Sequence, residues 1–206
     1  MDSTDALPSP SKELSGWKDL VSPRLCLRRL LLEDAPTIHA YRSLPEVARY
    51  QSWDNYTPED AERLVGEQIE VVPDTLGSWL QLAIIERESD FLIGDCGIHF
   101  PSEHPQQVML GITLSPSYQG KGLATEALTN VLTYVFGTLS KHRAFAITDA
   151  ENHASAKLLE RVGFRKEAHN IENIWFKGAW GSEFLFAMLR REWEAKREGK
   201  LPYFKD

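Results

Sequence analysis

The segment Val108 to Leu128, VMLGITLSPSYQGKGLATEAL, limits most sharply what this chain can fold into. Val108 to Leu114 reads as a strand and is ended by Ser115-Pro116. Gly120 and Gly122 follow, and a helical stripe begins at once: Leu123, Ala127, Leu128, Val131, Leu132 and Val135, with Gly137 as its expected stop. A strand that passes into a helix through glycines points several backbone N–H groups the same way. The helix N-terminus adds a partial positive charge, so this junction predicts a cradle for a pyrophosphate. It is not the nucleotide-binding GxxxxGK[ST] loop, which needs glycine at Ser115 and Ser or Thr at Gly122. Nor is it the GxGxxG dinucleotide fingerprint, which needs glycine at Thr125.

The remaining punctuation places this junction in a mixed sheet. Leu25, Leu27 and Arg29 alternate as a short strand. Asp34 before Ala35-Pro36 predicts a helix N-cap, and Thr57-Pro58-Glu59-Asp60 predicts a second with its acid at the third helical position. Trp79 to Ile85 and Phe91 to Phe100 read as strands joined by a charged turn. Arg143 to Thr148 is a further strand; Asn152 caps a helix that runs to Val162 and stops at Gly163. Arg165 to Phe176 and Phe184 to Leu189 complete about seven strands. The order predicts an α/β (α+β) fold, a mixed central sheet with helices on both faces.

At about 150 residues per domain, 206 residues make one domain with extensions. The Ser- and Pro-rich start predicts a loose N-terminal arm over 1–22, then a folded domain over 23–193 and a charged tail over 194–206. No run of 18 apolar residues occurs, so no membrane partner is expected. A net charge of -7 argues against nucleic-acid binding through bulk charge. Cys26 and Cys96 have no CxxC spacing and read as reduced thiols of a cytoplasmic protein, with no disulfide and no metal site.

Two blocks then carry a resemblance. Gln119-Gly120-Lys121-Gly122-Leu123-Ala124 fits Q-x-x-G-x-G/A, the acyl-CoA pyrophosphate loop of the GNAT acyltransferases. Asn152 to Phe164, NHASAKLLERVGF, fits N-x-x-S-x-x-L-x-E-[KR]-x-G-F, the superfamily's second block, with a strand between the two. The chain therefore resembles a GNAT acyltransferase. The segments PRLCLRRLLLEDAPTIHAYRS, QSWDNYTPEDAERL, IGDCGIH and FKGAW resemble the branch that holds the ribosomal-protein N-terminal acetyltransferases.

The resemblance implies a GNAT fold and an N-acyltransferase that passes acetyl from acetyl-CoA to a primary amine by direct attack in a ternary complex. It implies cofactor contacts at Gln119, Gly120, Lys121, Gly122, Leu123, Ala124 and Thr125, a backbone donor for the thioester carbonyl near Leu114, and a pantetheine contact at Asn152. The amine must lose a proton to a base. Ile174 occupies the position that holds a glutamate in some ribosomal-protein acetyltransferases, so the candidates are Glu172, two residues earlier, with Asp95 and His99. The tyrosine acid of many GNAT enzymes falls on Leu159, which leaves Ser155 as the candidate donor to the departing thiolate. Trp53, Tyr56 and Trp79 are candidates to line the acceptor cleft. The expected partner is an amine-bearing small molecule or peptide N-terminus, with the protein a monomer or homodimer. The alternative reading is a degenerate GNAT domain that binds CoA as a sensor or interaction module.

Overall fold

The computed structural model describes residues 17–199. Eight strands form one sheet: β1 (Leu20–Val21), β2 (Leu25–Arg29), β3 (Trp79–Glu86), β4 (Phe91–His99), β5 (Gln107–Leu114), β6 (Arg143–Asp149), β7 (Arg165–Phe176) and β8 (Ala179–Leu189). Six α-helices accompany them: α1 (Ala35–Arg42), α2 (Pro45–Ala48), α3 (Pro58–Gln68), α4 (Leu123–Leu132), α5 (His153–Val162) and α6 (Arg190–Arg197). The sheet order is β1-β2-β3-β4-β5-β6-β8-β7, antiparallel at every step except β5 to β6.

The expected α/β sheet with helices on both faces is present, with one strand more than the seven expected. The addition is β1, whose Leu20 and Val21 pair with Leu27 and Cys26. Trp17 also stacks edge-on against Tyr134. The folded unit thus includes residues before Pro23; residues 1–16 of the expected arm lie outside the described residues. α6 crosses the expected boundary between domain and tail, and 200–206 lie outside the described residues.

Both faces of the sheet are packed. On one, Leu25, Leu82, Ile98 and Val108 meet Leu123, Leu128 and Val131 of α4 and Leu159 of α5. On the other, Ala83 and Ile85 meet Ile38 and Tyr41 of α1 and Ala61 and Val65 of α3. β3 is buried from Leu80 to Ile85, which explains its near-continuous apolar sequence.

Local signals held where a side chain reached its backbone partner. Thr57 accepts from Asp60 N–H at 3.2 Å, and Asp60 accepts in return from Thr57 N–H at 2.9 Å. Asn152 Oδ1 accepts from Ser155 N–H at 3.1 Å, and Gly163 closes α5 at φ +110°. Asp34 behaves otherwise. Its carboxylate is taken by both Nη atoms of Arg28, at 2.7 and 2.8 Å, and by Leu31 N–H, so it braces the turn before α1 and does not cap that helix. Gly137 does not stop the first stripe, because the chain loosens into a π-helical turn over Thr133–Thr138 and runs past it.

Beneath α1, the carboxylate of Asp95 is 1% exposed. It accepts from Arg42 Nε at 3.0 Å, from Arg42 Nη2 at 2.8 Å, from Gln81 Nε2 at 2.6 Å, and from the Tyr41 hydroxyl. Burial alone would lower the Arg42 pKa, but the Asp95 charge and hydrogen bonds push it well up. Burial and the same carboxylate push the Tyr41 phenol up. Breaking a buried pair leaves an uncompensated charge. Arg42→Met should therefore cost about 3–5 kcal/mol in urea unfolding; a cost below about 1 kcal/mol would mean that the pair behaves as a surface one.

Candidate active site

The parallel contact between β5 and β6 lasts for three residue pairs, Gln107 with Arg143, Val108 with Ala144 and Met109 with Phe145. β5 then continues to Leu114 and β6 to Asp149 without pairing to each other, while their outer partners β4 and β8 stay in register. The sheet is therefore split at the C-terminal ends of its two central strands. Ser115 N–H donates to Ile93 O of β4, so by alternation the N–H and carbonyl of Leu114 face the split. That carbonyl accepts from Gln119 Nε2 at 2.9 Å. The Leu114 N–H is left pointing into the opening.

The glycine loop lies at the mouth of the split. Gly120 and Gly122 have φ of +73° and +77°, a region that a side chain makes costly. Among the described residues, none of the six N–H groups from Gly120 to Thr125 donates to an acceptor. The buried Thr125 hydroxyl is also without a partner there. Six unpaired donors and an orphaned hydroxyl at the start of a helix fit a diphosphate. Lys121 Nζ lies 5.1 Å from the Tyr118 ring centroid, exposed beside the loop. Across the split, Asn152 and Ser155 occupy the first turn of α5; the Ser155 hydroxyl and the Asn152 amide nitrogen donate to nothing among the described residues.

The other expected site residues do not gather here. Asp95 is enclosed by its four donors, so it is a core acceptor and not an accessible base. His99 pairs with Met109, five residues along β5 from Leu114, or roughly 17 Å. It stacks on Trp79 at 4.8 Å, so Trp79 lies at the closed end as well. Trp53 and Tyr56 flank the Arg42 guanidinium, with ring centroids 4.8 and 5.3 Å away, and the Trp53 indole donates to Arg42 O at 3.1 Å. Both belong to packing around the buried pair. Simple alternation does not fix the face of Glu172 relative to Ile174, because the β7–β8 register shifts between Asn170 and Ile174 and Glu172 has φ +47°. It is exposed, two strand spacings from β6, or about 10 Å.

Two carboxylates that the sequence reading passed over lie nearer. Asp149 ends β6 and is paired in register with Glu183 of β8. By alternation with the buried Ala144 and Ala146, both face away from α4 and α5. Neither has a cationic partner within salt-bridge distance among the described residues. No local motif marks them, since only the strand register brings them together. On the same side, Gln51 Nε2 reaches the Thr113 hydroxyl at 3.4 Å. The β7–β8 turn closes over it through Lys177, whose Nζ donates to Ala48 O at 2.7 Å and Trp53 O at 2.8 Å.

Residues 24–165 match the family model described as an acetyltransferase (GNAT) domain. The chain belongs to the GNAT acetyltransferase family. An uncharacterised N-acetyltransferase, p20, of Bacillus licheniformis is 32% identical over 176 residues, 84% of this chain and 97% of that protein. A ribosomal protein uS5-alanine N-acetyltransferase of Escherichia coli is 35% identical over 88 residues, 43% of this chain and 45% of that protein. The crystal structure of a GNAT-family acetyltransferase from Bacillus anthracis superposes with a TM-score of 0.76 at 26% identity, covering 84% of this chain and 99% of that one. The protein is thus a GNAT-type N-acetyltransferase. Gly122→Val should place a branched side chain at a left-handed position and disorder the cradle. Acetyl-CoA should raise the Tm of the wild type and leave that of the variant unchanged; an equal rise in both would put the diphosphate elsewhere.

Proposed function

We propose that the protein transfers acetyl from acetyl-CoA to a primary amine by direct attack, with both substrates bound across the split between β5 and β6. The observation that carries this is the set of six unpaired N–H groups, Gly120 to Thr125, opening onto a gap in the sheet. When bound there, acetyl-CoA supplies an activated thioester carbonyl. The chain's own residues do the rest. The cradle and Lys121 hold the phosphates, and Asn152 offers its free amide N–H to the pantetheine arm while its oxygen caps α5. The Leu114 N–H, fixed by the β4 ladder, is placed to hold negative charge as it develops on the carbonyl oxygen.

The amine enters from the face opposite α4 and α5. Asp149 and Glu183 attract its cationic form there, and the Lys177 bridge narrows the approach. These features support a small polyamine-like cation over a protein N-terminus, although a relative's name specifies an alanine of ribosomal protein uS5. Glu172, the exposed one of the three expected bases, takes the amine proton through water. Ser155 donates to the departing sulfur. A free thiol titrates near 8.5, so this proton matters only below that pH.

The decisive measurement is thiol release with acetyl-CoA and a panel of acceptors: spermidine, an aminoglycoside and an alanine-initiated peptide. Turnover should be greatest with the polyamine, and D149N/E183Q should raise its KM at least tenfold while the KM for acetyl-CoA stays unchanged. Silence on every amine, with acetyl-CoA still raising Tm, would replace this reading with a CoA-binding module. Ser155→Ala should lower kcat about tenfold at pH 7, with the deficit shrinking above pH 8.5; a pH-independent deficit would remove the acid role.

A further inference from the structure

We propose that Arg24 is a direct ligand of the acyl donor's diphosphate, a role that rests on reading Gly120 to Thr125 as the acyl-CoA cradle. Arg24 lies between β1 and β2, outside both sequence blocks, yet it meets the loop from about a hundred residues away. Its Nε donates to Glu126 Oε2 at 2.7 Å, its backbone N–H to Glu126 Oε1 at 2.8 Å, and its Nη1 to Lys121 O at 3.0 Å. Its Nη2 makes no hydrogen bond among the described residues. That nitrogen lies 3.6 Å from where a Cβ on Gly122 would stand. Two of the three guanidinium nitrogens are therefore fixed, and the third is presented at the edge of the cradle.

The mount is itself braced. Ser22 Oγ donates to Glu126 Oε1 at 2.8 Å, and Arg87 Nη1 donates to the carbonyls of Ser22 and Pro23 at 2.9 and 3.1 Å. The Arg24 side chain stays 51% exposed, so a ligand can reach it. Electrostatics requires such a partner. Glu126 stands in the first turn of α4, one residue beyond the cradle, where a lone carboxylate would repel a phosphate. Burial pushes its carboxyl up, but the bonds from Arg24 and Ser22 outweigh this and hold it below the usual range. Arg24 cancels that charge and still has a donor to spare. A guanidinium suits phosphate because its fork is planar and permanently charged.

The test is titration of wild type and variants with acetyl-CoA and with 3′-dephospho-acetyl-CoA. Arg24→Ala should weaken both ligands about ten- to hundredfold, raise the KM for the donor by the same factor and leave kcat within twofold. Arg24→Gln keeps a donor to Glu126 but no charge, and should lose as much should the alanine variant fail to fold. Arg24→Lys should recover part of the loss. The double variant R24A/E126Q separates binding from mere neutralisation: the loss should persist, and full recovery would overturn the proposal. A loss confined to the ligand that carries the 3′-phosphate would also overturn it, as would unchanged affinity in folded R24A. Wild type that binds neither ligand would sink the cradle reading itself; an indifferent Arg24 in a wild type that binds would sink this assignment alone.

Discussion

The rest of the molecule depends on the brevity of the parallel pairing between β5 and β6. Three pairs of residues hold the two halves of the sheet together, and beyond them each strand remains bonded only on its outer side. A sheet interrupted in this way must find other partners for the backbone groups along the gap. Gln119 supplies one by turning back to Leu114 O; the loop that follows leaves its own donors unpaired. The split, the glycine loop and the two helix starts are therefore one construction. Removing the gap would satisfy the backbone and leave nowhere for a ligand to lie.

The geometry of the glycine loop and of the start of α5 was legible in the sequence because its signals are local. Gly120, Gly122, Asn152 and Gly163 act within a turn or two of themselves, and each stands where its own conformation required. The side proposed for the acceptor was not legible, because it is built from register. Asp149 and Glu183 are 34 residues apart and meet only through the β6–β8 ladder. Asp95 stands between glycine and cysteine in β4 with nothing to foretell its enclosure by Tyr41, Arg42 and Gln81. Alternation alone does not place the side chain of Glu172 either, since a period of two holds only until a bulge intervenes. Gly137 failed as a stop because a π-turn absorbed it, a device without a local signature.

The net charge of -7 conceals a division of labour. Arg24 and Lys121 border the glycine loop, and a carboxylate beside it, Glu126, is neutralised by its partners. The uncompensated carboxylates Asp149 and Glu183 stand on the opposite side of the split. An anionic donor and a cationic acceptor can then approach from opposite faces without competing for the same field. Bulk composition averages these two ends away.

Lys177 anchors the β7–β8 turn through main-chain carbonyls, those of Ala48 and Trp53, more closely than through the Asp54 side chain at 3.2 Å. Carbonyls are common to every amino acid. The side chains between those two anchor points can therefore be exchanged without loosening the strap. Tyr50 and Gln51 lie in that interval, and Gln51 already touches β5 beside the split. On the proposed reading, this gives the fold a way to change its choice of amine by drift in a short loop, while the frame proposed to carry the acyl donor stays as it is.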